Sequence, residues 1–233
     1  MVAHRGASGE FPENTLLAFS RGLAEGADAL EFDVRTTADD VPVVLHDETL
    51  DRTTNGHGLL RSVRLEELRR LDAGRGERVP ALAEVLEQFP RVPLIVELKE
   101  SRATAAVMLT LARQGAQKRV LVGGFEHAAI APFGEGWLRS ASRREVATFW
   151  AAARLGMPHW GRSAKGSYAA FTVPQSYRAL RVVEPRFIRL ARRMAKPVHV
   201  WTVDDPAQGR RLREMGVSGV ITNFPARLRA SSN

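Results

Sequence analysis

Four short apolar stretches of this chain each end in residues that handle protons, anions or metal ions. "MVAHRG" ends in His4 and Arg5, "ALEFDV" carries Glu31 and Asp33, "VVLHD" ends in His46 and Asp47, and "IVELK" carries Glu97 and Lys99. Residues two apart in a strand face the same side, so Glu31 pairs with Asp33 and Glu97 with Lys99. Brought together, the carboxylates of Glu31, Asp33 and Glu97 repel unless a cation lies among them. Hard oxygen ligands suit one divalent cation, Mg2+ or Ca2+, and not a soft metal. His4 and His46 titrate near neutrality and suit proton transfer. Arg5 and Lys99 suit an anionic oxygen, the guanidinium fitting a phosphate in a fork. Together these groups equip a site for displacement at phosphorus. Each group alone reads more simply, as a hydrogen-bonded scaffold histidine or a rim salt bridge. The weight lies in their recurrence at four successive strand ends.

The elements that must position them are strand-like runs at 1–4, 29–34, 41–46, 93–99, 119–125, 137–141, 170–173, 198–203 and 219–222. Helical periodicity separates most of them. Leu16, Phe19 and Leu23 recur at helical spacing, with Asn14 as N-cap and Gly26 past the end. Val107, Leu111 and Ala112 repeat the pattern. Strand–helix alternation implies a parallel sheet. About eight such units predict an α/β fold, a (β/α)8 TIM barrel whose C-terminal strand ends converge on one rim. An open doubly wound sheet is the alternative, but no GxGxxG follows the first strand. Residues 48–80 read as a small insertion after the third strand, and the Gly/Ser-rich stretch 156–168 as a mobile loop. The whole, 1–233, reads as a single barrel domain.

Hydrophobic content of 44% and charged content of 26% are those of a globular protein. No apolar run reaches the length of a membrane span, and no leader precedes Val2. The chain has no cysteine, which excludes disulfides, thiolate metal sites and a cysteine nucleophile and fits a reducing cytoplasm. The net charge is +8, and a basic surface concentrates anionic ligands. Much of the excess, such as Arg189, Arg192 and Arg193, or Arg210, Arg211 and Arg213, falls in helical segments as solvated faces. No zinc-finger spacing or RNA-binding aromatic signature is present. The expected partner is a small anionic phosphodiester, with no nucleic acid and no stable membrane insertion. Composition leaves the oligomeric state open.

"HRG" followed by "PENT", then "EFDVRTTADDVPVVLHD", "LDRTTNGHG", "VPALAEVL", "VELK" and "VWTVDD", resembles the glycerophosphodiester phosphodiesterase family in order and spacing. The match runs from residue 3 to near 100 and resumes from near 185 to 228; between 126 and 184 only the alternation of elements agrees. The resemblance implies a TIM barrel that hydrolyses glycerophosphodiesters to glycerol 3-phosphate and an alcohol. It implies His4 and His46 as the general acid/base pair, and Glu31, Asp33 and Glu97 as ligands of the divalent metal. It implies that Arg5 and Lys99 contact the phosphoryl group, and that "LDRTTNG" walls the pocket. Gly124, Asn223 and Ala81 stand where the family often has Ser, Asp and Thr, which bears on substrate preference more than on reaction.

Trp201 is expected to point into the barrel near the rim, as core or as a substrate-binding wall for the glycerol or leaving group. Glu13 and Asn14 read as a helix cap and a brace for the first loop. His199 shares the parity of Trp201 but lies deeper, as structure; His57, His127 and His159 read as surface or loop histidines. Phe149, Trp150 and Trp160 are core or a lipid-facing lip. Two alternatives follow: a lysophospholipase D using an apolar groove at 149–160, or a non-catalytic phosphodiester-binding barrel.

Overall fold

The computed structural model describes residues 1–157 and 168–230. Its main sheet is built from β1 (Val2–His4), β2 (Ala29–Thr36), β4 (Leu94–Leu98), β5 (Val120–Gly124), β6 (Leu138–Arg139), β7 (Phe171–Pro174), β10 (Val198–Trp201) and β11 (Gly219–Thr222). These eight run parallel in the order β6-β5-β4-β2-β1-β11-β10-β7. The two ends of that order meet: Ser140 and Ala170 form a parallel bridge, and the Ala169 N–H donates to the Arg139 carbonyl at 2.7 Å. The sheet thus closes into the (β/α)8 TIM barrel.

The strand period of two sorts the side chains. Outward residues Leu30, Phe32, Val34, Val96 and Val122 pack under the helices with Phe19, Val85, Val107 and Leu111. On the opposite side Phe171, Val173, Val198, Val200 and Val220 pack with Phe149, Phe187, Leu212 and Leu228. Inward, Val2, Ile95 and Ile221, with Ala29, Leu121 and Trp201, form an apolar floor. The next inward residues along the chain are His4, Glu31, Glu97 and Asn223. The floor therefore sets a dry base under the polar rim.

The third strand, β3 (Pro42–Val44), is not a barrel stave. It runs antiparallel to β2, with Thr36 opposite Pro42 and Val34 opposite Val44. β2 overshoots the rim, turns, and comes back beside itself. The small insertion after this strand keeps its own apolar cluster, in which Leu50, Leu60, Leu68 and Val79 pack on Val43 and Leu45. Past β7 a small hairpin, β8 (Ser176–Tyr177) and β9 (Leu180–Arg181), stands on the rim.

Two local expectations change. Thr15, not Asn14, caps helix Leu16–Ala24: its hydroxyl accepts from the Ala18 N–H at 3.2 Å. Asn14 instead adopts φ +61°, which turns its side chain towards the barrel. In helix Ala103–Arg113, Val107 and Leu111 are buried, but Ala112 faces solvent. The arginines at 189, 192, 193, 210, 211 and 213 are exposed, as solvated faces should be.

The glycine of "HRG" has a steric reason. Gly6 sits at φ +82°, and a Cβ there would lie 2.4 Å from the Ala18 carbonyl carbon. The loop after β1 lies directly on the backbone of helix Leu16–Ala24, and the Ala7 N–H donates to the Ala18 carbonyl. We predict that Gly6→Ala lowers stability by at least about 2 kcal/mol, through backbone strain and overlap. Thr15→Ala, which removes only a cap, should cost about 1 kcal/mol. Denaturant unfolding of both variants checks this; a Gly6→Ala protein as stable as wild type would contradict it.

Candidate active site

Glu31, Asp33 and Glu97 converge at the rim, with one oxygen of each within 4.8 Å of the others. Glu31 and Asp33 reach it by alternation along β2, and Glu97 sits beside Asp33 in the β2–β4 register. Two cations touch the group. Arg5 Nε is 3.0 Å from Asp33 Oδ2, and Lys99 Nζ is 2.6 Å from Glu97 Oε1 and 3.3 Å from Asp33 Oδ1. Asn14 adds a hydrogen bond, its amide nitrogen donating to Asp33 Oδ2 at 3.2 Å.

The carboxylates divide accordingly. Burial would raise Asp33, but Arg5 and then Lys99 outweigh it and hold that carboxyl below its ordinary range. Burial, then the charges of Asp33 and Glu97, push Glu31 well above the usual value. Glu97 is also raised, by burial first, with Lys99 opposing. Among the described residues, buried Glu31 Oε2 and Asn14 Oδ1 find no hydrogen-bond partner. An all-oxygen donor set holding an unpartnered carboxylate oxygen and more negative charge than its neighbours neutralise fits a hard divalent cation. Glu31, Asp33 and Glu97 would hold it.

The two histidines flank this cluster and are each oriented from behind. His4 Nδ1 lies 2.7 Å from Asn223 Oδ1. The Asn223 amide nitrogen donates to Asp204 Oδ2 at 2.8 Å, so its oxygen faces His4 and Ser8. His4 therefore donates from Nδ1 and turns Nε2 inward, 3.8 Å from Glu31 Oε2. Burial first, then Arg5, lowers its pKa, favouring neutral imidazole. His46 Nδ1 lies 2.6 Å from Asp47 Oδ1, a carboxylate partner in place of an amide. The antiparallel return of β3 delivers His46 to the rim: the Leu45 N–H donates to the Asp33 carbonyl, and Arg35 Nε donates to the His46 carbonyl.

Residues the motifs only hinted at tie these halves together. Glu13 accepts from Arg5 at 2.9 Å and from both terminal nitrogens of Arg52 at 2.8 Å. Arg52, the arginine of "LDRTTNG", also grips Asp47. Charges alternate along Asp33, Arg5, Glu13, Arg52 and Asp47, and the series ends at His46. Arg52 holds Asp47 below the ordinary carboxylate range, and Glu13 is lowered likewise, Arg52 and Arg5 overcoming its burial.

The remaining expectations fall as follows. Trp201 is part of the floor, half-buried, with its ring 6.0 Å from Phe125. His199 is inside the barrel beneath, and His57 is exposed beside Asp51. His127 is half-buried 3.2 Å from Ser142 Oγ. Asn223, one of the three departures, is in direct hydrogen-bond contact with His4. Gly124 faces Ile130 on the outside of the barrel, and Ala81 is the N-cap of helix Leu82–Gln88. Neither of these two touches the site. Phe149 is core, 4.6 Å from Phe171 and 5.0 Å from Phe187, and the Trp150 indole donates to the Arg181 carbonyl. Among the described residues of this region Leu155 and Met157 are exposed. His159 and Trp160, with most of the stretch read as a mobile loop, lie outside the described residues.

A closed barrel gathering carboxylates, imidazoles and cations at its C-terminal rim defines the class as an α/β-barrel enzyme. The model of the glycerophosphoryl diester phosphodiesterase family matches residues 4–227, and the chain belongs to that family. It is 32% identical over 247 residues to a glycerophosphodiester phosphodiesterase of Bacillus subtilis, covering 96% of this chain and 83% of that protein. It is 29% identical over 253 residues to one from Caldanaerobacter subterraneus subsp. tengcongensis, covering 98% and 95%. A phosphodiesterase from Oleispira antarctica, solved in complex with the product sn-glycerol-3-phosphate, superposes with a TM-score of 0.81. That match is at 26% identity over 99% of this chain and 95% of the other. Among the described residues no helix is long and apolar enough to cross a membrane.

The raised Glu31 carboxyl makes stability depend on pH. Its folded-state pKa lies above the unfolded value, so the protonated form favours folding, and that stability is lost as pH rises through the folded pKa. We predict that metal-stripped protein loses stability as pH rises above the ordinary carboxylate range. Glu31→Gln should flatten that fall and raise the melting temperature at neutral pH in chelator. Thermal unfolding across that rise in pH checks it; a Glu31→Gln protein less stable than wild type at neutral pH would contradict it.

Proposed function

We propose that this chain hydrolyses glycerophosphodiesters to glycerol 3-phosphate and an alcohol, using one divalent cation and two histidines. The observation that carries the reading is the cluster of buried Glu31 and Asp33 with half-buried Glu97, flanked by Arg5 and Lys99 and faced by the Nε2 side of His4. The product held by the Oleispira antarctica relative supports a glycerol phosphate half. A bound Mg2+ or Ca2+ would neutralise charge on the phosphoryl oxygens as the P–O bond is exchanged.

The chain's own residues do the rest. Arg5 and Lys99 orient the anionic oxygens from the side of Asp33. His4, neutral and tied back through Nδ1, takes a proton at Nε2 from the attacking hydroxyl, whether water or the neighbouring glycerol hydroxyl. As that oxygen bonds to phosphorus, the bond to the leaving oxygen breaks; where the attacking oxygen is the glycerol hydroxyl, the cyclic phosphate so formed is opened by water in a second displacement. His46 gives a proton to the leaving alkoxide from Nε2, its ring oriented from behind by the Asp47 carboxylate at Nδ1. The same reading places the enzyme in the cytoplasm, supported by the cysteine-free composition alone.

The test is release of glycerol 3-phosphate from glycerophosphoglycerol, with chelator and with Mg2+ or Ca2+ restored. Activity should vanish in chelator and return with metal. His4→Ala and His46→Ala should each cost about 10²–10⁴-fold in kcat, and the double variant much less than their product. Both should still bind the cation, since neither is assigned as a ligand. With His4 as base, kcat/KM should fall on the acid side only below the ordinary imidazole value of 6.5. Full activity in chelator, either single variant near wild-type kcat, or an acid limb above that value would contradict the assignment. Binding without turnover would favour the non-catalytic alternative.

A further inference from the structure

Beyond β5 the rim carries a file of rings and cations that the reaction above does not use. Phe125 is 45% exposed. Its ring meets Trp201 edge-on at 6.0 Å, Lys99 Nζ lies 5.5 Å from its centroid, and Arg143 Cζ lies 5.4 Å from it. Arg143 Cζ is also 5.5 Å from the ring of Tyr177, and Arg178 Cζ is 5.7 Å from that same ring. Lys99 belongs to the carboxylate cluster, and Tyr177 and Arg178 are exposed. The file runs from the reacting centre to open solvent, so a substituent that leaves the barrel on this side passes along it.

The charge on this file is one-sided. Arg143 opens helix Arg143–Leu155, where the helix dipole already places positive charge and a cation is disfavoured. Among the described residues no carboxylate lies within ion-pair distance of Arg143 or Arg178, whereas Arg139 and Arg154 nearby have Glu145 and Glu184. Bare aromatic faces attract quaternary ammonium groups. Here Phe125 and Tyr177 are already flanked by guanidinium and ammonium groups, so an incoming choline meets like charge on both rings. An anionic or hydroxyl-bearing group meets donors instead.

We propose that Phe125, Arg143, Tyr177 and Arg178 select the alcohol side of the phosphodiester by charge, favouring an alcohol that carries its own anion over a cationic one. This rests on the reading that the chain hydrolyses glycerophosphodiesters. Arg143 sets the preference from the β6 side, and Arg178 extends it to the rim hairpin.

Three substrates share the glycerol phosphate half and differ in charge on the alcohol: glycerophosphoglycerophosphoglycerol is anionic, glycerophosphoglycerol neutral and glycerophosphocholine cationic. Their kcat/KM values should fall in that order, with about tenfold or more between the extremes at low salt and a narrower spread at high salt. Arg143→Gln combined with Arg178→Gln should shrink the anionic-to-cationic ratio at least about fivefold, and Arg143→Lys should keep most of it. Equal rates on all three, a choline preference, or a ratio unmoved in the double variant would overturn this inference while turnover left the parent reading standing. Faster turnover of lysophosphatidylcholine than of all three would overturn it in favour of an apolar occupant. Turnover of none would overturn both.

Discussion

Glu31, Asp33 and Glu97 hold oxygens within 4.8 Å of one another under the rim of the barrel, and among the described residues only Arg5 and Lys99 are in ion-pair contact with Asp33 and Glu97. At an effective dielectric of about 20, each like-charge pair at that separation costs roughly 3 kcal/mol. Two cations leave one carboxylate uncompensated. It is Glu31, the one touched by neither, whose carboxyl is pushed well upward and whose Oε2 has no hydrogen-bond partner among the described residues. The rest of the site reads as the surroundings of that deficit. Arg5 is shared between Asp33 and Glu13, Glu13 is shared with Arg52, and Arg52 holds Asp47 behind His46. A change at any point in this alternation reaches both a carboxylate of the cluster and a histidine.

The fold meets this demand with two devices. One is the loop of "HRG…PENT", where left-handed Arg5, Gly6 and Asn14 let the chain fold back on itself. The Asn14 N–H donates to the Arg5 carbonyl, and the Arg5 N–H to the Glu31 carbonyl, so the arginine, the brace and the first carboxylate share one backbone clamp. The other is the overshoot of β2, which returns as β3 and sets His46 beside Asp33. Both devices stand on an apolar floor of Val2, Ile95 and Ile221.

Much of this was legible in the sequence because strand alternation is a short-range rule. It places Glu31 with Asp33 and Glu97 with Lys99 without knowledge of the fold, and the regular strand–helix rhythm supplies the barrel. What escaped depends on pairing across long separations. "VPVVLHD" has the composition of any barrel strand, and only its partner shows that it runs the other way. Asn223 lies 219 residues from His4 along the chain, and its importance comes from Asp204, which orients its amide. Asn14 resembled a helix cap by type and position. Thr15 took that role, and the freed amide turned to Asp33.

If the deficit of positive charge is the organising constraint, filling it must move protons as well as bind metal. Calorimetric titration of Mg2+ or Ca2+ into stripped protein, in buffers of different ionisation heat, measures both at once. The account predicts one cation per chain, with more protons released at about pH 5.5 than at about pH 8, as the raised carboxyls of Glu31 and Glu97 give theirs up. No binding, or binding with no proton release at the lower pH, would contradict it.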